Sequence, residues 1–144
     1  MFSKACEYGM KAAIFIADQS LVNKRVSLKD ISKAIDSPEF YTSKILQQLS
    51  RSFIINSDKG PTGGFSMDVQ QLERVQLSDI VSAIDGDKVY LGCGLGLKNC
   101  NEKKPCPVHN HFKIIREELR EMLETTTVKS LAEDLKDGLT FLKR

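Results

Sequence analysis

The chain has 144 residues, 41% hydrophobic and 28% charged, with a formal net charge of +2 and no tryptophan. That is the composition of one globular domain with a moderate core, which excludes a low-complexity or disordered chain. No apolar run approaches the roughly eighteen residues of a membrane span. The opening MFSKACEYGMKAAIFIADQS also lacks the apolar core of a signal peptide. A cytoplasmic protein with no membrane partner is therefore expected, in a compartment where structural disulfides are scarce and clustered cysteines bind metal or react. The positive excess sits early: residues 1–60 carry nine Lys/Arg against six Asp/Glu, residues 61–110 five against six, and the remainder seven against seven.

Ser3 caps a predicted helix from about Lys4 to Asp18, in which Ala5, Tyr8, Ala12, Phe15 and Ile16 recur at three- and four-residue steps. Gly9 inside it marks a place where another helix passes close. Ser27 and Asp30 form a capping-box-like pair ahead of Ile31, Ala34 and Ile35. Ser37-Pro38 then supplies a cap and a first-turn proline for a third helix, with Ile45, Leu46 and Leu49 inward. Its outer surface, Tyr41, Thr42, Ser43, Lys44, Gln47 and Gln48, is polar and mostly uncharged.

Phe53-Ile54-Ile55 is too short for a helix and reads as a strand; the turn-rich DKGPTGG and then Phe65-Ser66-Met67 complete a hairpin. Helix, helix, turn, helix, hairpin is the order of a winged helix-turn-helix. On such a frame Ser43, Lys44 and Gln48 would read base edges. Tyr41 and Thr42 would seat the helix on phosphate, and Lys59 would meet phosphate from the wing. Singly, each piece has a plainer reading: solvated helix surface for the third helix, and an ordinary loop for GPTGG, which lacks a Walker A ending.

Ser78 caps a short helix, Asp79 to Ile84, ended by Asp85-Gly86-Asp87. After the segment 88–110 comes an amphipathic helix from His111 to about Glu124, with Phe112, Ile115, Leu119 and Met122 on one stripe and Ile114 and Leu123 widening it. Such a face can meet a partner subunit or complete the monomer's own core. Thr125-Thr126-Thr127 breaks this helix, and Val128, Leu131, Ala132 and Leu135 suggest a last segment packed back on the body.

Residues 93–111, CGLGLKNCNEKKPCPVHNH, hold three of the four cysteines and both histidines. The spacings Cys93-x6-Cys100 and Cys100-x5-Cys106 match neither the C-x2-4-C pairs of common zinc sites nor the C-x-x-C of thiol redox motifs. Three thiolates on a glycine-rich loop plus one further ligand can instead hold an iron–sulfur cluster. His109, three residues beyond Cys106, is the nearest fourth ligand and binds without first losing a proton near pH 7. Glu7 or Cys6 would have to come from the first helix, where a lone cysteine is more often a core residue.

Taken together, the residues resemble the Rrf2 family of bacterial transcriptional regulators over nearly the whole chain. The resemblance rests on SKACEYG at 3–9, YTSKILQQL at 41–49, KGPTGGF at 59–65, LSDIVSAI at 77–84, the three cysteines, Pro107-Val108-His109 and Leu131-Ala132. It implies a mainly α fold with a small β-hairpin wing and a long C-terminal dimerisation helix. Residues 1–75 would form the winged helix-turn-helix. Residues 76–144 would form the cluster loop and the dimer helix, packed with the first helix as one compact unit. It implies a homodimer on a near-palindromic double-stranded promoter site, and a [2Fe-2S] or [4Fe-4S] cluster on Cys93, Cys100 and Cys106. The fourth ligand would be His109, or Glu7 from the partner subunit's first helix. The expected function is a cluster-responsive transcriptional regulator, not an enzyme and without a small-molecule substrate. A metal-binding structural or adaptor protein is the competing reading; an iron–sulfur redox enzyme lacks any nucleotide site here.

Overall fold

The computed structural model describes residues 1–144. The Ser3 side chain accepts a hydrogen bond from the Cys6 N–H at 3.0 Å and opens α1, Lys4–Ser20. The buried face of α1 is built largely from small residues, Cys6, Gly9, Ala12, Ala13 and Ala17, around Ile16. Small side chains let neighbours come close, and α1 touches α2 (Leu28–Ile35), α3 (Glu39–Arg51), α5 (Leu77–Ile84) and α8 (Val128–Lys136). At Gly9 an added Cβ would lie 2.2 Å from Ile84 Cδ1 and 3.4 Å from Ile45 Cγ2. The glycine thus admits two neighbours, α5 and α3.

The Ser27–Asp30 capping box forms as expected: each side chain accepts the other's backbone N–H at 3.1 Å. At the start of α3 the expectation needs correcting. Pro38, not Ser37, occupies the capping position, and the Pro38 carbonyl takes the Thr42 N–H and hydroxyl at 2.9 and 2.8 Å. The Ser37 hydroxyl meets the Thr42 hydroxyl instead, at 2.5 Å.

The strand expected at Phe53-Ile54-Ile55 is also displaced. Phe53 turns left-handed, φ +59°, as α3 ends. Ile54 N–H bonds back to the Leu49 carbonyl and Phe53 N–H to Ser50, at 3.0 and 3.1 Å, a Schellman closure with phenylalanine where glycine is usual. Ile54 and Ile55 are thereby turned into the core, 2% and 1% exposed, rather than alternating across a sheet. Gln71 Nε2 and an Arg74 guanidinium nitrogen donate to the Phe53 carbonyl, both at 3.1 Å, and hold the turn.

The hairpin follows as β1 (Asn56–Asp58) and β2 (Gly64–Ser66), antiparallel with Ser57 opposite Phe65. On the other side of Phe65, an isolated bridge to Val26 brings a third chain segment against the hairpin. Arg25 braces the tip, donating to the Thr62 carbonyl at 3.1 Å and pairing with Asp58 at 3.6 Å. A six-residue helix α4 (Val69–Arg74), absent from the sequence expectation, is boxed by Asp68 and Gln71. α5 begins two residues before the expected Asp79, because the Asp79 carboxylate accepts the Gln76 N–H at 2.8 Å and Ser78 does not cap. A single turn, α6 (Lys88–Leu91), precedes the cysteine loop, and α7 (His109–Thr125) starts two residues before His111. Thr127 caps α8, whose Val128 and Ala132 are fully buried. The fold is thus mainly α with an antiparallel hairpin wing and a long helix near the C-terminus. No helix is long and apolar enough to cross a membrane.

Phe53 combines a left-handed backbone with a side chain 76% exposed. Phe53→Asn keeps the turn with a residue that tolerates this region and loses little packing. The urea midpoint is expected to rise, by about 1 kcal/mol of unfolding free energy.

Candidate cysteine site and nucleic-acid interface

All four cysteines are free. In the loop between α6 and α7 the side chains gather in two pairs: Cys93 Sγ lies 3.7 Å from Cys106 Sγ, and Cys100 Sγ 3.4 Å from His109 Nδ1. No group of three or more His, Cys, Asp or Glu side chains converges on a common ion position. Each pair alone has the spacing of one tetrahedral edge. Metal–sulfur bonds of about 2.3 Å hold two thiolates roughly 3.8 Å apart, and a sulfur and an imidazole nitrogen slightly closer. The backbone N–H of Leu95, then that of Leu97, bonds the Cys93 sulfur and holds its thiol below the ordinary cysteine value, with the Cys106 thiol and the Gly96 N–H adding to the effect. His109 is 7% exposed at the first turn of α7, its N–H bonded to the Cys106 carbonyl at 3.0 Å.

The loop rests on α7 through few contacts. A Cβ on Gly94 would fall 2.3–2.5 Å from three atoms of the Phe112 ring, so only glycine fits there. Arg116, one turn further on, places both terminal guanidinium nitrogens 3.4 Å from Cys100 Sγ and also donates to the Gly92 carbonyl. Lys113 pairs with Glu102 at 2.8 Å. A cavity of about 330 Å³ opens beside these groups, lined by Cys100, His109, Arg116 and Tyr90 among others.

The two first-helix ligand candidates lie apart from the loop. Cys6 is fully buried, and burial, with Asp85 adding to it, pushes its thiol up to about 12. Glu7 is exposed and pairs with Lys4 at 3.3 Å.

On α3, Ser43 is half-buried, while Lys44 and Gln48 are exposed. Thr42 faces inward, 1% exposed, so its hydroxyl braces the helix start and does not reach phosphate. Tyr41 is 38% exposed and sets its ring edge-on to Tyr8 of α1, with centroids 5.8 Å apart. The outward stripe also holds Gln47, as expected from the sequence, and Phe40 and Arg51, which the sequence reading left unassigned. Lys59 is exposed at the wing tip. Along α7, Ile114, Ile115 and Met122 are 59%, 50% and 46% exposed. Leu119 is half-buried against the core and Leu123 wholly buried, while Phe112 turns to the loop.

A family model described as Rrf2, an iron-dependent transcriptional regulator, matches residues 2–134. An Aquifex aeolicus protein named as an HTH-type transcriptional regulator is 26% identical over 133 residues, covering 91% of this chain and 90% of its own. The crystal structure of Staphylococcus aureus CymR is 26% identical with a TM-score of 0.70, covering 91% of this chain and 97% of that one. T. potens IscR, 18% identical, shares the fold with a TM-score of 0.72, covering 97% of this chain and 91% of its own.

Burial separates the thiols. In metal-free native protein, iodoacetamide should label Cys93, Cys100 and Cys106, and Cys6 only after denaturation, as read by mass spectrometry. Because the Cys93 thiol is lowered, the inflection of its labelling rate against pH should fall below that of a cysteine peptide.

Proposed function

The chain belongs to the Rrf2 family, and from that premise we propose that it is a homodimeric regulator whose promoter binding responds to an iron–sulfur cluster held by residues 93–109. The family's winged helix-turn-helix proteins are DNA-binding regulators, not enzymes. The observation that carries the finer reading is the pairing of the donors. Cys93 with Cys106 and Cys100 with His109 would each supply two ligands. A [2Fe-2S] cluster would take its four protein ligands as two pairs, so this division favours [2Fe-2S] over [4Fe-4S] and His109 over Glu7 as the fourth ligand. Such a cluster supplies a group sensitive to redox state, nitric oxide and iron supply.

The chain's own residues would carry the response. Phe112 seated on Gly94, and Arg116 bonded to Cys100 and Gly92, join the loop directly to α7. Ligated donors would draw the loop into one arrangement and change how α7 is held. Ile114, Ile115 and Met122 offer an apolar face that a second copy's α7 would cover, with Leu119 at its margin. A shift of that helix would alter the separation of the two reading heads on a near-palindromic site. In each head Ser43, Lys44 and Gln48 would read bases, Tyr41 would flank them, and Lys59 would meet phosphate.

The test is anaerobic binding to upstream genomic DNA by holo and apo protein, with Cys93→Ala, Cys100→Ala, Cys106→Ala and His109→Ala alongside. The expected result is a visible chromophore lost or sharply weakened in each variant, with promoter affinity differing between holo and apo forms. A colourless wild type whose Cys93 and Cys106 become resistant to alkylation on oxidation would instead make the 3.7 Å pair a disulfide switch.

The dimer has its own check. Because the Ile115 side chain is half exposed in the single chain, Ile115→Glu should leave the fold intact. Sedimentation is expected to show a dimer for the wild type and monomers for the variant. Specific DNA binding should fall in step, since one half-site contributes modest affinity alone.

A further inference from the structure

The outward face of α3 is centred on a residue so far without a role. Ile45, Leu46 and Leu49 point inward. At 100° per residue, Phe40, Lys44, Gln47 and Arg51 run along the opposite side, with Ser43 and Gln48 flanking. Phe40 stands in the first turn and is 76% exposed. The Lys44 ammonium lies over its ring, 4.8 Å from the centroid. An aromatic this exposed loses burial free energy in the isolated chain. A protein-docking site would surround it with further apolar residues, yet the rest of this stripe is polar or charged. One apolar side chain amid cationic and amide donors, at the N-terminal end of a reading helix, matches one feature of the major groove. The thymine 5-methyl group projects there beside base-edge acceptors.

We infer that Phe40 reads a thymine methyl group in each half-site, with Lys44, steered by the ring, engaging a base acceptor next to it. The inference rests on the DNA-binding reading above and assigns a specificity-determining residue within it. Phe40 would make α3 discriminate thymine from cytosine and uracil at one position without a hydrogen bond to that base.

The test uses full-length wild-type protein to select its own site from random duplexes. Each thymine of a half-site is then replaced in turn by uracil, which removes only the methyl group. For the wild type, one replacement should weaken binding by about fourfold, the factor for one methyl group returned to water. Replacement in both half-sites should multiply the loss. Phe40→Ala should bind the thymine duplex more weakly and show no difference between thymine and uracil, while Phe40→Leu should recover part of the discrimination. Circular dichroism of both variants checks folding, which the exposure of Phe40 leaves intact. A selected site at which no uracil replacement weakens wild-type binding overturns the inference and leaves the regulator reading standing. So does an equal uracil effect in wild type and Phe40→Ala. Uniform loss for Phe40→Ala on all duplexes would make Phe40 a structural or protein contact. Failure of the wild type to select any sequence removes both readings.

Discussion

The core of this molecule is fitted around α1, which α2, α3, α5, α8 and β2 all touch. Its buried face is nearly free of bulk, and the glycine at position 9 brings α5 and α3 against the helix backbone at the same level. Two further helices, α2 and α8, close on other parts of the same helix. The result is one shared packing surface beneath α3, α5 and α8. Interiors packed this tightly transmit displacement and do not absorb it. The Tyr8–Tyr41 edge contact and the hydrogen bonds from Ser3 to Asp85 show the same helix tied at once to α3 and to the end of α5.

The wing and α3 are oriented by different means. α3 is set by burial of Ile45, Leu46 and Leu49 and closed by the Phe53 turn, which Gln71 and Arg74 clamp. The wing has almost no core of its own. It is held by Val26 pairing with Phe65, by Arg25 bridging Asp58 and Thr62, and by the Met67 N–H bonded to Ser20 Oγ at 2.9 Å. The exposed Arg25 pair contributes little energy by itself. Its effect is geometric, fixing where the tip bearing Lys59 sits relative to α3.

Legibility in the sequence followed the range of the interaction. Ser3 and the Ser27–Asp30 box are bonds across three residues, and both helices begin where those residues stand. The Asp68–Gln71 box uses the same chemistry, but six residues show no apolar period, so α4 went unseen. Phe53-Ile54-Ile55 misled because its composition favours a strand, whereas a left-handed turn at Phe53 sends both isoleucines into the core. No local signal puts phenylalanine at that φ. The fold class was readable because its evidence was the order of elements, which survives shifts of two residues at their ends. In the cysteine loop, residue types and spacing singled out Cys93, Cys100, Cys106 and His109 as candidate donors. Which donor faces which depends on the path through residues 94–97, and the seat of Phe112 on Gly94 is invisible without that path. Thr42 looked outward by composition; its hydroxyl instead donates to the Pro38 carbonyl, which also accepts the Thr42 N–H, and so braces the start of α3.

The contrast between core and loop bears on how a signal could be read out at small cost. In α5 the chain is fixed by the fully buried Ile80 and Val81, and further on by Leu123 and Val128, while the Gln76–Thr127 bridge ties the C-terminal end of α7 to the start of α5. Residues 93–108 bury no apolar side chain fully, and they meet α7 at His109, Phe112, Lys113 and Arg116. Regions with few buried contacts open at small free-energy cost, far below global unfolding. The loop can therefore exchange arrangements while the core stays intact. Arg116 gives that exchange a direction. Its guanidinium divides its bonds between a carbonyl at the loop's start and the sulfur of Cys100, so in the regulator proposed above a change in what that sulfur binds would alter the pull on α7.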